Sequence, residues 1–274
     1  MNVVGVFLVH NEDVFVERAV RNVAGFCDRI FVVDHLSTDG TPEILRRLAQ
    51  ELDHVSVTRS GDAADSHRVL EAFVGTDSWA LGVDGDELYD PGALAQLREQ
   101  LEAGAHADVF RLKGHVLNCD ELDEAEGAAC GYLAPPSRPV TKFFNLAAVE
   151  SWTRCLERLH DGATVFRPGF DWDSLRYLSE GSDWSSDPLR MVHTCFLRRS
   201  SLDADDSPRK GLPETGAWRR GLRGTLDRAR RRRHLDPRIK EYNRSGTSWK
   251  QEWYARGSRV RVDARPFLGQ EAVR

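Results

Sequence analysis

The chain of 274 residues has no C-x-x-C pair, and its five cysteines, Cys27, Cys119, Cys130, Cys155 and Cys195, are odd in number. This excludes a thiolate zinc site of ordinary spacing and a disulfide framework, and it predicts free thiols in a reducing cytoplasm. No apolar run is long enough to span a bilayer. The N-terminal MNVVGVFLVHNED lacks the basic stretch of a secretory signal and reads as a first strand. An excess of positive charge is also missing: the formal charge is −5 and the pI near 6.0, against a general nucleic-acid binder. Absent as well are G-x-x-x-x-G-K-[ST], G-x-G-x-x-G after the first strand, H-E-x-x-H and G-x-S-x-G. Kinase-like, dehydrogenase, zincin and serine-hydrolase readings lose their usual support. No internal repeat is found.

What is present is material for a globular protein, with 41% hydrophobic residues over a length that suits one large domain or two modest ones. VVGVFLV (3–9) reads as a strand. Asn11 is placed to cap a following helix with apolar positions Phe15, Ala19, Val20 and Val23. RIFVVD (29–34) is a second strand. Thr41 is the expected N-cap of a helix with Pro42 at its first position and Ile44, Leu45, Leu48 and Leu52 on one face. HVSVTR is a third strand candidate, a helix follows around 66–73, and WALGV forms a fourth strand before a helix over 91–102. Strand and helix in alternation predict a mostly parallel α/β sheet flanked by helices.

Ligands of such sheets bind beyond the carboxyl ends of the strands. Three carboxylate-bearing segments fall there: Asn11-Glu12 after the first strand, Asp34 after the second, and Asp84-Gly85-Asp86-Glu87 after the fourth. Like charges so close raise one another's pKa unless a cation or donor compensates. Two carboxylates one residue apart can hold a hard divalent cation that takes its remaining ligands from phosphate oxygens and water. An EF-hand starting at Asp84 would need Gly at 89 and Glu at 95, where the chain has Tyr89 and Ala95. The plain alternative is a solvated acidic turn, and D-x-D by itself occurs by chance.

The second half is harder to read. Residues 118–139 mix acidic residues, small residues and prolines, and read as a long mobile loop. VTKFFNL, ATVFRPG and LRMVHTCFL read as strands extending the same sheet. From about Ser200 a polar helical segment is expected to wrap the domain. Its RARRRR run (228–233) is a solvated helix face or a contact for an anionic membrane surface.

VHNED, VERAVRNV and CDRIFVVDHLSTDGTPEIL, followed by WALGVDGDE, resemble the family 2 glycosyltransferases and their GT-A relatives, clearly so over residues 1–100. The resemblance implies a GT-A-like, Rossmann-like sheet. Its catalytic domain would span 1–200, with a nucleotide-sugar-binding half (1–100) and an acceptor half (101–200), and 201–274 would be a C-terminal extension. It implies that Asn11 and Glu12 lie near the nucleoside, that Asp34 faces the base, and that Asp84, Gly85 and Asp86 hold ribose and metal, with Glu87 tuning Asp86 or lining the sugar pocket. His35 and Leu36 stand where relatives carry a second Asp and a Gly. Asp39 is a turn and cap residue. Arg68 is either near the diphosphate or a solvated helix residue. His193, in VHTCFLRRSS, is either a core histidine or a metal ligand with Asp84 and Asp86, because the segment resembles the H-x-x-x-x-R-S of bacterial relatives with DGDE turns. Arg198, Arg199, Arg209 and Lys210 are cations for the leaving group or surface residues, of which Arg199 and Lys210 are assigned to the nucleotide sugar. Inverting transfer needs a general base; Asp161 is the leading candidate, with Glu157, Asp171 and Asp173 as alternatives. Trp152, Trp172 and Trp184 are core residues or acceptor-stacking surfaces.

The expected activity is transfer of a sugar from a nucleoside-diphosphate sugar, UDP-linked by preference, with Mn²⁺ or Mg²⁺, to an acceptor that is a small molecule, a glycan or lipid-linked. No nucleic acid is involved. The rivals are a nucleotidyltransferase acting on a sugar phosphate, disfavoured by the absent Gly-rich basic N-terminal loop, and a non-catalytic nucleotide-sugar-binding protein.

Overall fold

A computed structural model describes residues 1–160, 162–203 and 249–269. β1 (Asn2–Val9), β2 (Arg29–Asp34), β3 (Val55–Arg59) and β4 (Ser78–Val83) form the parallel half of a seven-stranded sheet. β1 lies between β2 and β4, and Val3, Val4 and residues 6–9 are all buried. A central parallel strand is covered on both faces, which explains a continuous apolar run in place of alternation. α1 (Val16–Ala24) turns Val16, Ala19, Val20 and Val23 onto the sheet at helical spacing. α2 (Thr41–Glu51) contributes Leu45 and Leu48, and α4 (Pro91–Glu102) Leu94, Leu97 and Leu101. α4 begins at Asp90, whose side chain accepts from the amides of Gly92 and Ala93.

Two expected caps differ. Asn11 takes a left-handed φ of 54°, and its Oδ1 accepts from the Thr38 amide at 2.7 Å, so it joins two loops and α1 starts five residues later. At α2 Asp39 Oδ1 accepts from the Thr41 amide at 2.9 Å, while the Thr41 hydroxyl accepts from the Glu12 amide at 2.9 Å. Asp39 is therefore the turn residue that its sequence context predicts. The helix expected around 66–73 is one turn, α3 (Asp65–Arg68), and a 3-10 turn over Glu71–Phe73.

The second half does not simply extend the first sheet. β6 (Arg111–Lys113), β9 (Lys142–Asn145) and β12 (Leu175–Tyr177) do, in the order β12-β6-β9-β4. A second sheet of five strands carries β5 (Glu87–Tyr89), β7 (Val116–Asp123), β8 (Ala128–Ala134), β13 (Met191–His193) and β14 (Arg259–Asp263), in the order β14-β8-β7-β13-β5. ATVF is β11 (Ala163–Phe166), paired with β10 (Val149–Thr153) in a separate two-stranded sheet.

The expected loop at 118–139 is largely the β7–β8 hairpin. Its small residues are what the pairing needs: a Cβ on Gly131 would lie 2.2 Å from the Asn118 carbonyl oxygen. Composition that reads as loop is here the condition for close strand approach. The C-terminal piece adds α5 (Trp249–Tyr254), edge strand β14 and α6 (Arg265–Leu268). Asn22, on α1, donates from Nδ2 to the carbonyls of Tyr89 and Phe267 at 2.8 and 2.7 Å, holding α6 on the core.

One core joins α1, α2 and α4 to the second sheet, and another covers the opposite face of the first sheet around Phe110, Phe144, Trp152 and Leu159. The five cysteines are free thiols, and burial pushes Cys27 and Cys119 up. Among the described residues no helix is long and apolar enough to cross a membrane.

Candidate active site

The acidic turn 84–87 lies between the two sheets: β4, before it, belongs to the first and β5, after it, to the second. Its carboxylates are divided between two environments. Glu87 is fully buried; Oε2 accepts from the Asp84 amide at 3.0 Å and Oε1 from Lys142 Nζ at 3.1 Å. Lys142 also reaches Asp84 Oδ2 at 3.2 Å, and the buried Arg158 guanidinium pairs with Asp84 Oδ1. Lys142 comes from β9, where it pairs with Gly82, two residues before Asp84. These two cations compensate Asp84 and Glu87.

Asp86 is in the second environment. It is buried, its carbonyl accepts from the Thr194 amide and hydroxyl at 2.9 and 3.1 Å, and Oδ2 lies 3.8 Å from His193 Nε2. His193 is brought there by strand register, since β13 pairs His193 with Glu87 and with Asn118. His193 Nδ1 lies 3.1 Å from Asn118 Oδ1. Donation to that carbonyl oxygen puts the lone pair on Nε2, the nitrogen facing Asp86.

This donor pair fits a hard divalent cation. At 3.8 Å from each other, Asp86 Oδ2 and His193 Nε2 are close enough that both would hold one such ion. Among the described residues no group of three or more His, Cys, Asp or Glu forms such a site. The remaining ligands would come from phosphate and water.

Glu12 fastens the first loop to the turn. Its Oε2 accepts from the Gly85 amide at 2.9 Å, and Oε1 lies 3.3 Å from Arg199 Nη1. A Cβ on Gly85 would lie 2.3 Å from Glu12 Oε2. Gly85→Ala should therefore push the carboxylate out of its place and destabilise the fold by about 1–3 kcal/mol, the usual range for overpacking. Urea denaturation checks this, and a loss below about 0.5 kcal/mol would mean that the contact relaxes freely.

At the end of β2, Asp34 is buried. Oδ1 accepts from the Ser37 amide at 2.9 Å, and Oδ2 lies 3.3 Å from Arg59 Nη1. His35 is also buried, with Nδ1 3.1 Å from the Ser60 carbonyl; burial first, and then His10, lowers its pKa. Leu36 is exposed at a φ of 58°. These two residues, which depart from the resembled pattern, thus have opposite surroundings.

Contacts link the sequence-predicted residues: Asn11 and Asp34 both bond to Ser37, at 3.0 and 2.9 Å, Glu12 reaches Gly85 and Arg199, and His193 faces Asp86. Arg68 is held at the surface by Asp62 at 2.9 Å and by Asp65. Glu157 lies 3.3 Å from His160 Nδ1. Asp171 is exposed, and its Oδ1 accepts from the amides of Asp173 and Ser174 and from the Ser174 hydroxyl, the bonds of a surface turn. Asp161, Arg209, Lys210 and Arg228–Arg233 lie outside the described residues. Trp152 is a core residue, Trp184 stacks on Phe267, and Trp172 is partly exposed against Phe110 and Phe166.

Lys142, Arg158 and Asn118 are missing from the sequence-based site. A signal for Lys142 was present, since a lone lysine opens an otherwise buried strand beside the ligand edge. Arg158 and Asn118 become visible only through tertiary contact.

Residues 6–132 match the model of glycosyl transferase family 2. A comparison with curated proteins finds no match. Among solved structures, TarS of S. aureus is similar at 16% identity and a TM-score of 0.37, over 54% of this chain and 29% of that one. The mannosyltransferase PcManGT of Pyrobaculum calidifontis, determined with GDP-Man and Mn²⁺, is similar at 21% identity and a TM-score of 0.32, over 44% and 36%. A 4-diphosphocytidyl-2C-methyl-D-erythritol synthase of Anaerococcus prevotii matches at 10% identity and a TM-score of 0.32, over 53% and 70%. The match thus spans about a third of the length of each of the first two.

Proposed function

Because residues 6–132 match the model of glycosyl transferase family 2, we propose that the protein moves a sugar from a nucleoside-diphosphate sugar to an acceptor with the help of a divalent cation. The observation that carries this reading is the pairing of Asp86 with His193 at 3.8 Å, on a turn that Glu12 fastens to the end of β1. The nucleoside would lie over Asn11 and Asp34, at the ends of β1 and β2, with the diphosphate toward the turn at the end of β4. Asp86 and His193 would hold Mn²⁺ or Mg²⁺, which when bound supplies positive charge to the departing diphosphate.

The chain's own residues do the rest. Lys142 and Arg158 hold Asp84 in place, and Arg199, held by Glu12, would face the diphosphate. Asp84 would face the ribose or sugar. Inverting transfer requires a base that accepts the acceptor's proton as the new glycosidic bond forms and the bond to the diphosphate breaks. Asp161 and Glu157 are the candidates nearest Arg158 in sequence. The expected setting is the cytoplasm, with a UDP-sugar as the first donor to try.

Thermal-shift titration with UDP, GDP, CDP and dTDP, each with Mn²⁺ and with EDTA, tests this reading. A ligand at 100 times its Kd should stabilise the native state by about 2.7 kcal/mol. One nucleotide should raise Tm with Mn²⁺ and lose that effect in EDTA. If no nucleotide does so under either condition, the donor site is misassigned.

A further inference from the structure

We propose that the acceptor carries an oxyanion, a phosphate ester or a carboxylate, and that Lys113 binds it; this rests on the donor reading above. Lys113 ends β6, and the antiparallel register Leu112↔Phe143 continues to place it opposite Lys142, on the same face of the sheet as Lys142 and Gly82. β6 is two strands from β4, on the side away from β2. At about 4.8 Å per strand, Lys113 lies roughly 10 Å across the sheet from Gly82, which is two residues before the acidic turn. With the nucleoside at β1 and β2 and the diphosphate at β4, that is where the molecule receiving the sugar must sit.

The surroundings of Lys113 specify the acceptor's charge. Lys142 is already engaged by Asp84 and Glu87. Arg111 donates to the Trp172 carbonyl and lies over the Trp172 ring. Lys113, half-buried, has no carboxylate partner among the described residues. Burial first, and then Arg111, Arg138 and Lys142, bring its pKa down to about 8. A half-buried ammonium among other cations is costly unless an anion completes it, and β6, antiparallel to β9 as β4 is, ends at the same edge of the sheet as β4. Both phosphate esters and carboxylates supply the required charge.

The test is a thermal-shift titration of the full chain, at fixed ionic strength, with methyl phosphate, with glucuronate and with neutral methyl glucoside. UDP with Mn²⁺ is titrated in parallel. One anion should stabilise the wild type saturably where methyl glucoside does not, and which anion does so identifies the source of the charge. Lys113→Met should weaken that binding at least fivefold, Lys113→Arg should restore it to within about twofold, and the UDP response should persist in both. If neither anion exceeds methyl glucoside on the wild type, or if Lys113→Met titrates like the wild type, the proposal is overturned. A lost UDP response overturns the donor reading as well, whereas a retained one confines the failure to Lys113.

Discussion

Asp86→Asn should reduce sugar transfer by about a thousandfold and abolish the Mn²⁺-dependent part of nucleotide binding. The amide keeps the size of the carboxylate but loses the charge that a hard cation requires. Cation stabilisation of a leaving group is worth several kcal/mol, and about 4 kcal/mol corresponds to three orders of magnitude in rate. Asp86 is buried beside His193, so the folded state should tolerate the neutral amide, with Tm in EDTA unchanged or raised. Transfer rates and Tm with Mn²⁺ and with EDTA separate these effects. An intact Mn²⁺-dependent UDP shift in Asp86→Asn would remove Asp86 from the metal site.

Lys142→Met should have the largest effect on stability. Lys142 is mostly buried and serves two carboxylates, one of them, Glu87, completely buried. Removing one partner of a buried ion pair typically costs about 3–5 kcal/mol, because the other charge is left uncompensated. Glu87→Gln should recover much of that loss in the Lys142→Met background, since the amide oxygen can still accept from the Asp84 amide. Guanidinium denaturation of the two single variants and the double variant gives the coupling. A loss below about 1 kcal/mol in Lys142→Met would mean that Glu87 is compensated by other groups.

Most of the parallel half of the fold is legible in sequence because β1, β2 and β4 are short apolar runs and α1, α2 and α4 have a clear period, whereas β3 and the one-turn α3 do not. β2 ends on Asp34, β4 ends just before Asp84, and β1 ends three residues before Glu12. The second sheet is not legible for a physical reason: β7 and β8 are built from acidic and small residues whose close pairing needs Gly131, and the same residues signal loops. β5 and β13 have three residues each, too few for any periodicity. Asp86 and His193 could be named from the sequence, but the compensation of Asp84 and Glu87 could not: Lys142 and Arg158 are 55 or more residues away, Lys142 meets the turn through the register of β9 with β4, and Arg158 reaches it from the connection between β10 and β11.

Contacts that make the turn join residues remote in the chain: Glu12 with Gly85 across 73 positions, Asp86 with Thr194 across 108, and Glu12 with Arg199 across 187. Such separations carry the loop-closure entropy that slows folding, since the ends must meet before the contact can stabilise anything. The acidic turn should therefore be among the last parts of the molecule to form. An emerging chain exposes VDGDE long before the segment carrying His193, Thr194 and Arg199 has been synthesised, so nucleotide binding waits for the fold to close.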